Sequence, residues 1–485
     1  MNGSMILFIL GYVLRLEGLL ILPSALVGLI YQEPEGWAYL AAGLISALLG
    51  FLASRKRPKN TTFYLKEGCV ATALSWIVMS AFGALPFMLT GEIPSFTDAM
   101  FEIVSGFTTT GASILTNVEA MCHCSLFWRS FTNWIGGMGV LVFLLAVVPL
   151  SGGSHFNLMR AESPGPSVGK LVPKVKATAR ILYLIYISMT VVTFLLLAVD
   201  MPIFDAVLTA FSTAGTGGFG IRADGFAGYS PYAQWIVTIF MLLFGVNFNA
   251  YYFMLYRKFR KAWEIEEVRW FFAIVLAAIA ILFCDIVSIY DTAFEALTHA
   301  AFQVASIIST TGFATADFNL WGQSSRVTLV ILMFIGGCAG STAGGIKVSR
   351  IAMMFKTVIN EFRSYIHPKS VRAIKMDGKP VEHSMIHSVC VYLATFLLLF
   401  TVSIFVVSLE GRDLVTTFTA VTTCINNVGP GLELVGPASN FSTLSGLSKW
   451  TLIFDMLAGR LELFPLLILF HPALWRDSFS RRKDN

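Results

Sequence analysis

Residues 306–315 read SIISTTGFAT, a run in which two threonines precede a glycine among small and apolar neighbours. Three other stretches share this form: FTTTGAS (107–113), STAGTGGFG (212–220) and CINNVGPG (424–431). In each, a glycine follows Thr or Val inside a polar, small-residue string, and Gly111, Gly217, Gly312 and Gly429 fall 106, 95 and 117 residues apart. One such string would be an ordinary loop, but four at this spacing mark an internal repeat.

The flanks of the strings repeat as well. An acidic residue, Asp98, Asp205, Glu295 or Asp413, stands 12–17 positions ahead of each glycine, at the head of a short apolar segment. A carboxylate there favours a helix N-terminus. The segment is shorter than the ~20 residues needed to span a bilayer, so it reads as a re-entrant half-helix. Its negative C-terminal end then points at the Thr-Gly string. After each string comes a second apolar helix with its own small-residue point: Gly136-Gly137, Gly245, Gly336-Gly337 and Gly459.

Each unit is thus helix, half-helix, extended Gly loop, helix, and four units can surround an axis. The predicted fold is an all-α membrane protein with four pseudo-symmetric helix/pore-loop/helix repeats around a central ion pore, preceded by two extra N-terminal transmembrane helices. The divisions fall at 1–60 (helix pair), 61–155, 156–260, 261–365 and 366–485 (repeats one to four).

Composition agrees. The 485 residues are 56% hydrophobic and 13% charged, with mean hydropathy +0.72, against roughly 25% charged residues in soluble domains. Apolar segments near 5–31, 37–53, 68–91, 126–150, 179–200, 232–256, 270–290, 325–357, 384–409 and 447–475 predict ten crossings. The first is longer than a signal-peptide core and has no convincing cleavage site, so it is expected as a mature helix. Basic clusters at 54–59, 170–180, 256–269, 369–375 and 476–483 all fall on one side of such a topology. That side is cytoplasmic by the positive-inside rule, as are both termini. The net charge of +5 follows from topology and implies no nucleic-acid partner.

Residue type sets the chemistry of the strings. Glycine tolerates positive φ and close approach, and Thr-Gly backbones can turn carbonyls inward to replace the water around a dehydrated monovalent cation. Calcium or magnesium would require carboxylates, and no string has Asp or Glu ahead of its glycine. The candidate potassium filter is Thr109, Thr110, Gly111, Thr216, Gly217, Thr310, Thr311, Gly312, Asn427, Val428 and Gly429.

A further Gly-rich run, GGCAGSTAGGIK at 336–347, interrupts the eighth apolar segment. It fails as a phosphate loop, because Gly345 is followed by Ile346 where a P-loop needs Lys. Counted from Val327, its glycines begin ~14 Å into the membrane, where unwound backbone needs protein or a watery cavity around it. Gly336, Gly337, Cys338, Ala339, Gly340, Ser341, Thr342, Ala343, Gly344 and Gly345 are therefore expected to form a gating loop under the filter. Arg460 lies roughly 18 Å into the last helix, a depth at which charges face a cavity or a partner. It either snorkels inward or pairs with Glu462, or it stands below the filter and bonds the facing loop.

Other chemistry is thinly represented. Cys122 and Cys124 flank His123, a poor zinc pattern, and the other five cysteines are isolated. His383 and His387 are one turn apart, but Ser384 stands where a zincin has Glu. There is no GxSxG elbow, so no catalytic residues and no enzyme activity are expected. The charged segment 256–269 reads as a solvated face or, with 160–176 and 350–375, as a docking surface.

The motifs TTTGA, GGF (217–219), STTGF, NNVGPG, GGMG, RAESPGP (160–166), GGCAGSTAGG and GRLE, spread across about residues 65–475, resemble those of the Trk/Ktr/HKT cation transporter superfamily, most closely its bacterial TrkH/TrkG branch. The helix pair before residue 60 is likewise characteristic of that branch. The resemblance implies a potassium-translocating subunit of the bacterial inner membrane, forming a homodimer. It also implies a cytoplasmic TrkA-like ring that carries the nucleotide, NAD(H) or ATP/ADP, so this chain binds no cofactor beyond transported K⁺. In the family a Ser at the first filter glycine often accompanies sodium permeation, so Gly111 favours potassium. Ala343, where many relatives have Gly, and Asp455, five residues before Arg460, depart from the pattern. The alternative function is a proton- or sodium-coupled cation symporter with loose K⁺/Na⁺ selectivity. A voltage-gated channel would need an Arg-every-third helix, and an inverted-repeat transporter would alternate the direction of its repeats.

Overall fold

Residues 1–58, 64–139, 175–367, 373–472 and 474 are described in the computed structural model, and helices dominate them. The RAESPGP motif, the second half of the 126–150 stretch and the basic clusters near 170 and 476–483 lie outside these residues, wholly or in part.

The chain opens with a hairpin of α1 (Gly3–Ile30) and α2 (Gly36–Ala53). Small residues let the two backbones touch: a Cβ on Gly18 would lie 2.6 Å from the Gly43 carbonyl. This is the close packing typical of membrane helices. The first repeat follows as α3 (Leu65–Gly83), its continuation α4 (Leu85–Thr90), the half-helix α5 (Phe96–Phe107), and α6 (His123–Gly137). The second comprises α7 (Val175–Leu197), α8 (Ile203–Gly215), α9 (Pro231–Gly245), α10 (Phe248–Leu255) and the short α11 (Phe259–Glu264). The third comprises α12 (Glu266–Ile286), α13 (Ala293–Ile308), α14 (Gln323–Ile335) and α15 (Val348–Ile366). A small antiparallel hairpin, β1 (Lys375–Met376) with β2 (Lys379–Pro380), precedes the fourth: α16 (His383–Ser408), α17 (Leu414–Ile425), α18 (Gly446–Arg460) and α19 (Phe464–Leu467).

The half-helices α5, α8, α13 and α17 begin as their acidic residues predict. Asp98, Asp205 and Glu295 sit in first turns, while Asp413 is itself an N-cap whose Oδ1 accepts from the Thr416 N–H at 2.8 Å. Ser95 and Thr292 cap α5 and α13 through their hydroxyl oxygens.

Of the ten predicted crossings, segments 232–256, 325–357 and 447–475 form as broken helices, and 126–150 lies partly outside the described residues. Among the described residues six helices are long and apolar enough to cross a membrane, or seven if α9 and α10, bent by 94°, count as one span. The helices after the strings, α6, α9, α14 and α18, stop after 15, 15, 13 and 15 residues. Each stops at its glycine point. For α6 and α18 the space there belongs to another backbone: a Cβ on Gly136 would overlap the Phe107 carbonyl, and one on Gly459 the Ile425 carbonyl.

The outer surface is apolar, and polar side chains are buried at the centre within a largely apolar interior. Large apolar side chains such as Leu48, Leu398 and Phe405 are exposed on the outer helices, whereas Thr109, Thr110, Thr310, Thr311 and Asn427 are fully buried at the centre. Buried hydroxyls and amides must find partners, and these lie where the four half-helices end.

Candidate ion pathway

Each half-helix ends in the same way. Thr109, Thr216, Thr310 and Asn427 all adopt left-handed φ, between 54° and 56°. Their N–H groups donate to the carbonyls of Gly106, Thr213, Ile307 and Cys424, and the following N–H groups reach back to Ser105, Ser212, Ser306 and Thr423 at 2.8–2.9 Å. This pair of bonds closes a helix C-terminus, usually around glycine; here Thr and Asn occupy the strained position in every repeat.

The turn sets the register of the next residues, and one of them moves. Two positions after each left-handed residue stand Gly111, Gly218, Gly312 and Gly429, all with positive φ (82°, 68°, 90° and 105°). The counterpart of Gly111 in the second repeat is therefore Gly218; Gly217 is the counterpart of Thr110.

These glycines interlock. A Cβ on Gly111 would lie 2.5 Å from the Gly217 carbonyl oxygen, and one on Gly429 2.8 Å from that of Thr110. A Cβ on Gly218 would collide with the Thr311 carbonyl, and one on Gly312 with that of Val428. First meets second, second meets third, third meets fourth and fourth meets first, so the strings close a ring around one axis. All four glycines line one cavity of about 180 Å³.

Side chains lock the ring. Asn427 Nδ2 donates to Thr110 Oγ1 at 3.0 Å and to the Met456 carbonyl at 2.9 Å. The Thr108–Thr110 and Ser309–Thr311 hydroxyl pairs are each 2.7 Å apart. Arg129, buried in α6, was not legible as a site residue. Its guanidinium pairs with Glu102 at 2.8 Å, lies 4.2 Å from the centre of the Phe219 ring and donates to the Gly220 carbonyl at 3.2 Å. With a further bond to Ser113 Oγ at 3.4 Å it joins the first and second strings, and a charge inside an apolar run was the available signal.

The run 336–347 forms neither helix nor strand and lies against the ring. Gly344 N–H donates to Thr310 Oγ1 at 2.6 Å and Gly345 N–H to the Asn426 carbonyl at 3.0 Å. Gly336, Gly340 and Gly345 take positive φ. Cys338 N–H bonds the Gly245 carbonyl at 2.9 Å, and the Thr342 hydroxyl donates to the Phe244 carbonyl at 3.3 Å. Gly337 accepts from Val348 N–H at 3.0 Å, Ala339 N–H donates to Glu267, Ser341 Oγ bonds the Cys338 carbonyl, and the Ala343 carbonyl accepts from Lys347 Nζ.

Arg460 does bond the facing loop. Its guanidinium donates to the Thr342 carbonyl at 2.9 Å and to the Gly137 and Gly136 carbonyls, joining the third-repeat loop to the end of α6. Glu462 is engaged by Arg350, which also stacks on Tyr392 at 3.9 Å.

Other candidates resolve differently. Asp455 is fully buried between α18 and α16, where Ser403 Oγ donates to it at 2.7 Å. Cys122 and Cys124 have sulfurs 3.1 Å apart and, with Glu33, form the one group among the described residues that could hold a metal. The Glu33 carboxylate caps α6, accepting from His123 and Cys124 N–H at 2.9 and 3.1 Å. Burial pushes the Glu33 carboxyl up, but these bonds and His123 outweigh it and hold it below the usual range. His383 and His387 are exposed. The segment 256–269 is not uniformly a solvated face: Arg260 and Glu264 pair at the surface, whereas Glu267 is buried and Glu266 pairs with Lys356.

Half-helices aimed at one axis, and a ring of interlocked Gly-bearing strings, define a class: a polytopic membrane protein with a central pathway. The TrkH family model, described as a cation transport protein, matches residues 38–482, and the chain belongs to that family. It is 38% identical over 477 residues to the Trk system potassium uptake protein TrkH of Salmonella typhimurium, covering 96% of this chain and 97% of that one. It is 32% identical to TrkG of Escherichia coli, covering 96% and 97%. The crystal structure of the potassium transporter TrkH from Vibrio parahaemolyticus superposes with a TM-score of 0.88 at 31% identity, covering 98% of this chain and all of that one.

Proposed function

We propose that this chain is the ion-translocating subunit of a potassium uptake system, with the four strings as its selectivity filter. The closed succession of glycine-to-carbonyl contacts carries this reading. It supports a narrow passage lined by backbone oxygens, which hold a dehydrated monovalent cation without fixed charge. The filter residues are Thr109, Thr110, Gly111, Thr216, Gly217, Gly218, Thr310, Thr311, Gly312, Asn427, Val428 and Gly429. Relatives named as Trk potassium uptake proteins support potassium as the cargo.

Residues 336–345 act as the gate beneath the filter, and Arg460 holds them across the pathway. The bonds from the loop to Thr310, Asn426 and Arg460 support this role. The chain works as a homodimer in the bacterial inner membrane with both termini cytoplasmic, divided as the sequence suggests into a helix pair and four repeats. A TrkA-like nucleotide-binding ring regulates it from the cytoplasm.

The test is ion flux in proteoliposomes with potassium, rubidium, sodium and lithium. Potassium and rubidium are expected to pass and lithium to be excluded; a strong sodium preference refutes the potassium filter.

A further inference from the structure

The segment 336–347 is anchored near both ends by one side chain. Glu267, in the first turn of α12, is 4% exposed, and its Oε1 accepts from the Ala339 N–H at 2.6 Å and from the Ser349 N–H at 3.0 Å. Its Oε2 accepts from Asn247 Nδ2 at 3.3 Å. Asn247 Oδ1 in turn accepts from the Asn249 N–H at the break between α9 and α10. A carboxylate removed from water persists only where hydrogen bonds replace its hydration, and charge-assisted bonds to backbone N–H are the stronger kind. Glu267 thus ties entry to the loop, exit from it and the α9–α10 bend to one point.

The preceding residue links that point to the surface. Glu266 N–H donates to Asp377 Oδ1 at 2.7 Å, and its carboxylate pairs with Lys356 of α15. Lys356 Nζ also donates to the Lys375 carbonyl at 2.7 Å, within the β1–β2 hairpin.

We propose that Glu267 is the positioning residue that holds segment 336–347 closed, and that the hairpin 375–380 reaches it through Lys356 and Glu266. This rests on the proposed gating role of the segment. The tether is local: cutting it releases one loop N–H group, at Ala339, and one in the first turn of α15, at Ser349, and leaves the ring of strings intact. A partner that moves the hairpin acts on the first turn of α12, and hence on the loop.

Native cysteines of the full-length protein provide a readout independent of transport. Cys338 lies in the segment and is buried, Cys424 is buried in α17, and Cys284 and Cys390 are exposed. Maleimide labelling of each, read by peptide mass spectrometry, reports local opening. Glu267→Ala should raise the rate at Cys338 about tenfold while leaving Cys424 unchanged. Glu267→Gln, whose amide oxygen still accepts from the Ala339 and Ser349 N–H groups but whose amide nitrogen cannot accept from Asn247 Nδ2, should label at a rate between wild type and Glu267→Ala. Lys356→Ala should raise the Cys338 rate by less than Glu267→Ala does.

Wild-type labelling of Cys338 in Glu267→Ala overturns the tether, and wild-type labelling in Lys356→Ala overturns the hairpin link. Should Glu267→Ala also expose Cys424, the reading passes to Glu267→Asp, whose carboxylate retracts by one methylene. Faster Cys338 labelling with Cys424 protected then supports the tether, and unchanged labelling refutes it. Potassium flux separates the two readings: faster labelling with unchanged flux keeps the tether and removes the gate, and raised flux with unchanged labelling does the reverse.

Discussion

Gly218 has no room for a side chain, because a Cβ there would collide with the Thr311 carbonyl at a positive φ of 68°. Gly218→Ala is therefore expected to abolish potassium flux in a protein that still purifies as wild type; wild-type flux would refute its place in the ring. At Gly111 a Cβ would stand 2.5 Å from the Gly217 carbonyl oxygen, so Gly111→Ser should widen or tilt the ring and lower the potassium-to-sodium flux ratio. Arg460 donates to the Thr342 carbonyl of the proposed gate. Arg460→Ala frees the loop and should raise cation flux without changing the order of ion preference. Unchanged flux in a folded variant would show that the loop needs no such hold. Of these residues the sequence exposed Gly111 and Arg460 directly. It could not separate Gly217 from Gly218 in STAGTGGFG, because the choice depends on Thr216 adopting the left-handed turn.

At the scale of elements, the half-helices depend on their first turns. Asp413 caps α17, and its hydrogen bonds with Thr416, side chain first and then backbone, hold its carboxyl below the usual aspartate range. A carboxyl lowered on folding contributes stability that is present above its unfolded pKa and is lost as pH falls through the folded one. Thermal unfolding in detergent should therefore show a loss on acidification that is smaller in Asp413→Ala than in the unmodified protein. At neutral pH that variant should be less stable by about 1 kcal/mol, the usual worth of an N-cap; an unchanged acid profile would remove Asp413 from the account. The acidic residue ahead of each string was readable because capping is a local event. The ends of α6 and α18 were readable only as small-residue points, since the atom crowding each glycine is a carbonyl from elsewhere in the chain.

Across the whole molecule, four strings from one chain meet as a ring that no single repeat can form. An ion bound there contacts the folded state alone, so binding adds to stability by mass action, about 2.7 kcal/mol at a hundredfold excess over Kd. Raising potassium at constant ionic strength should lift the melting temperature more than lithium does, and Gly218→Ala should erase the difference. Equal shifts for both ions in the unmodified protein would argue against a selective site. By itself the sequence determined that the chain is a membrane protein of repeated units, each with a half-helix aimed at a Thr-Gly string, because hydrophobic length, capping and glycine usage act within a few residues. Only the tertiary structure decided which glycine enters the ring, which carbonyls Arg460 reaches and which N–H groups Glu267 accepts from. Those last two sets of contacts join residues from 72 to 324 positions apart, and their partners are set by how the repeats close around the axis.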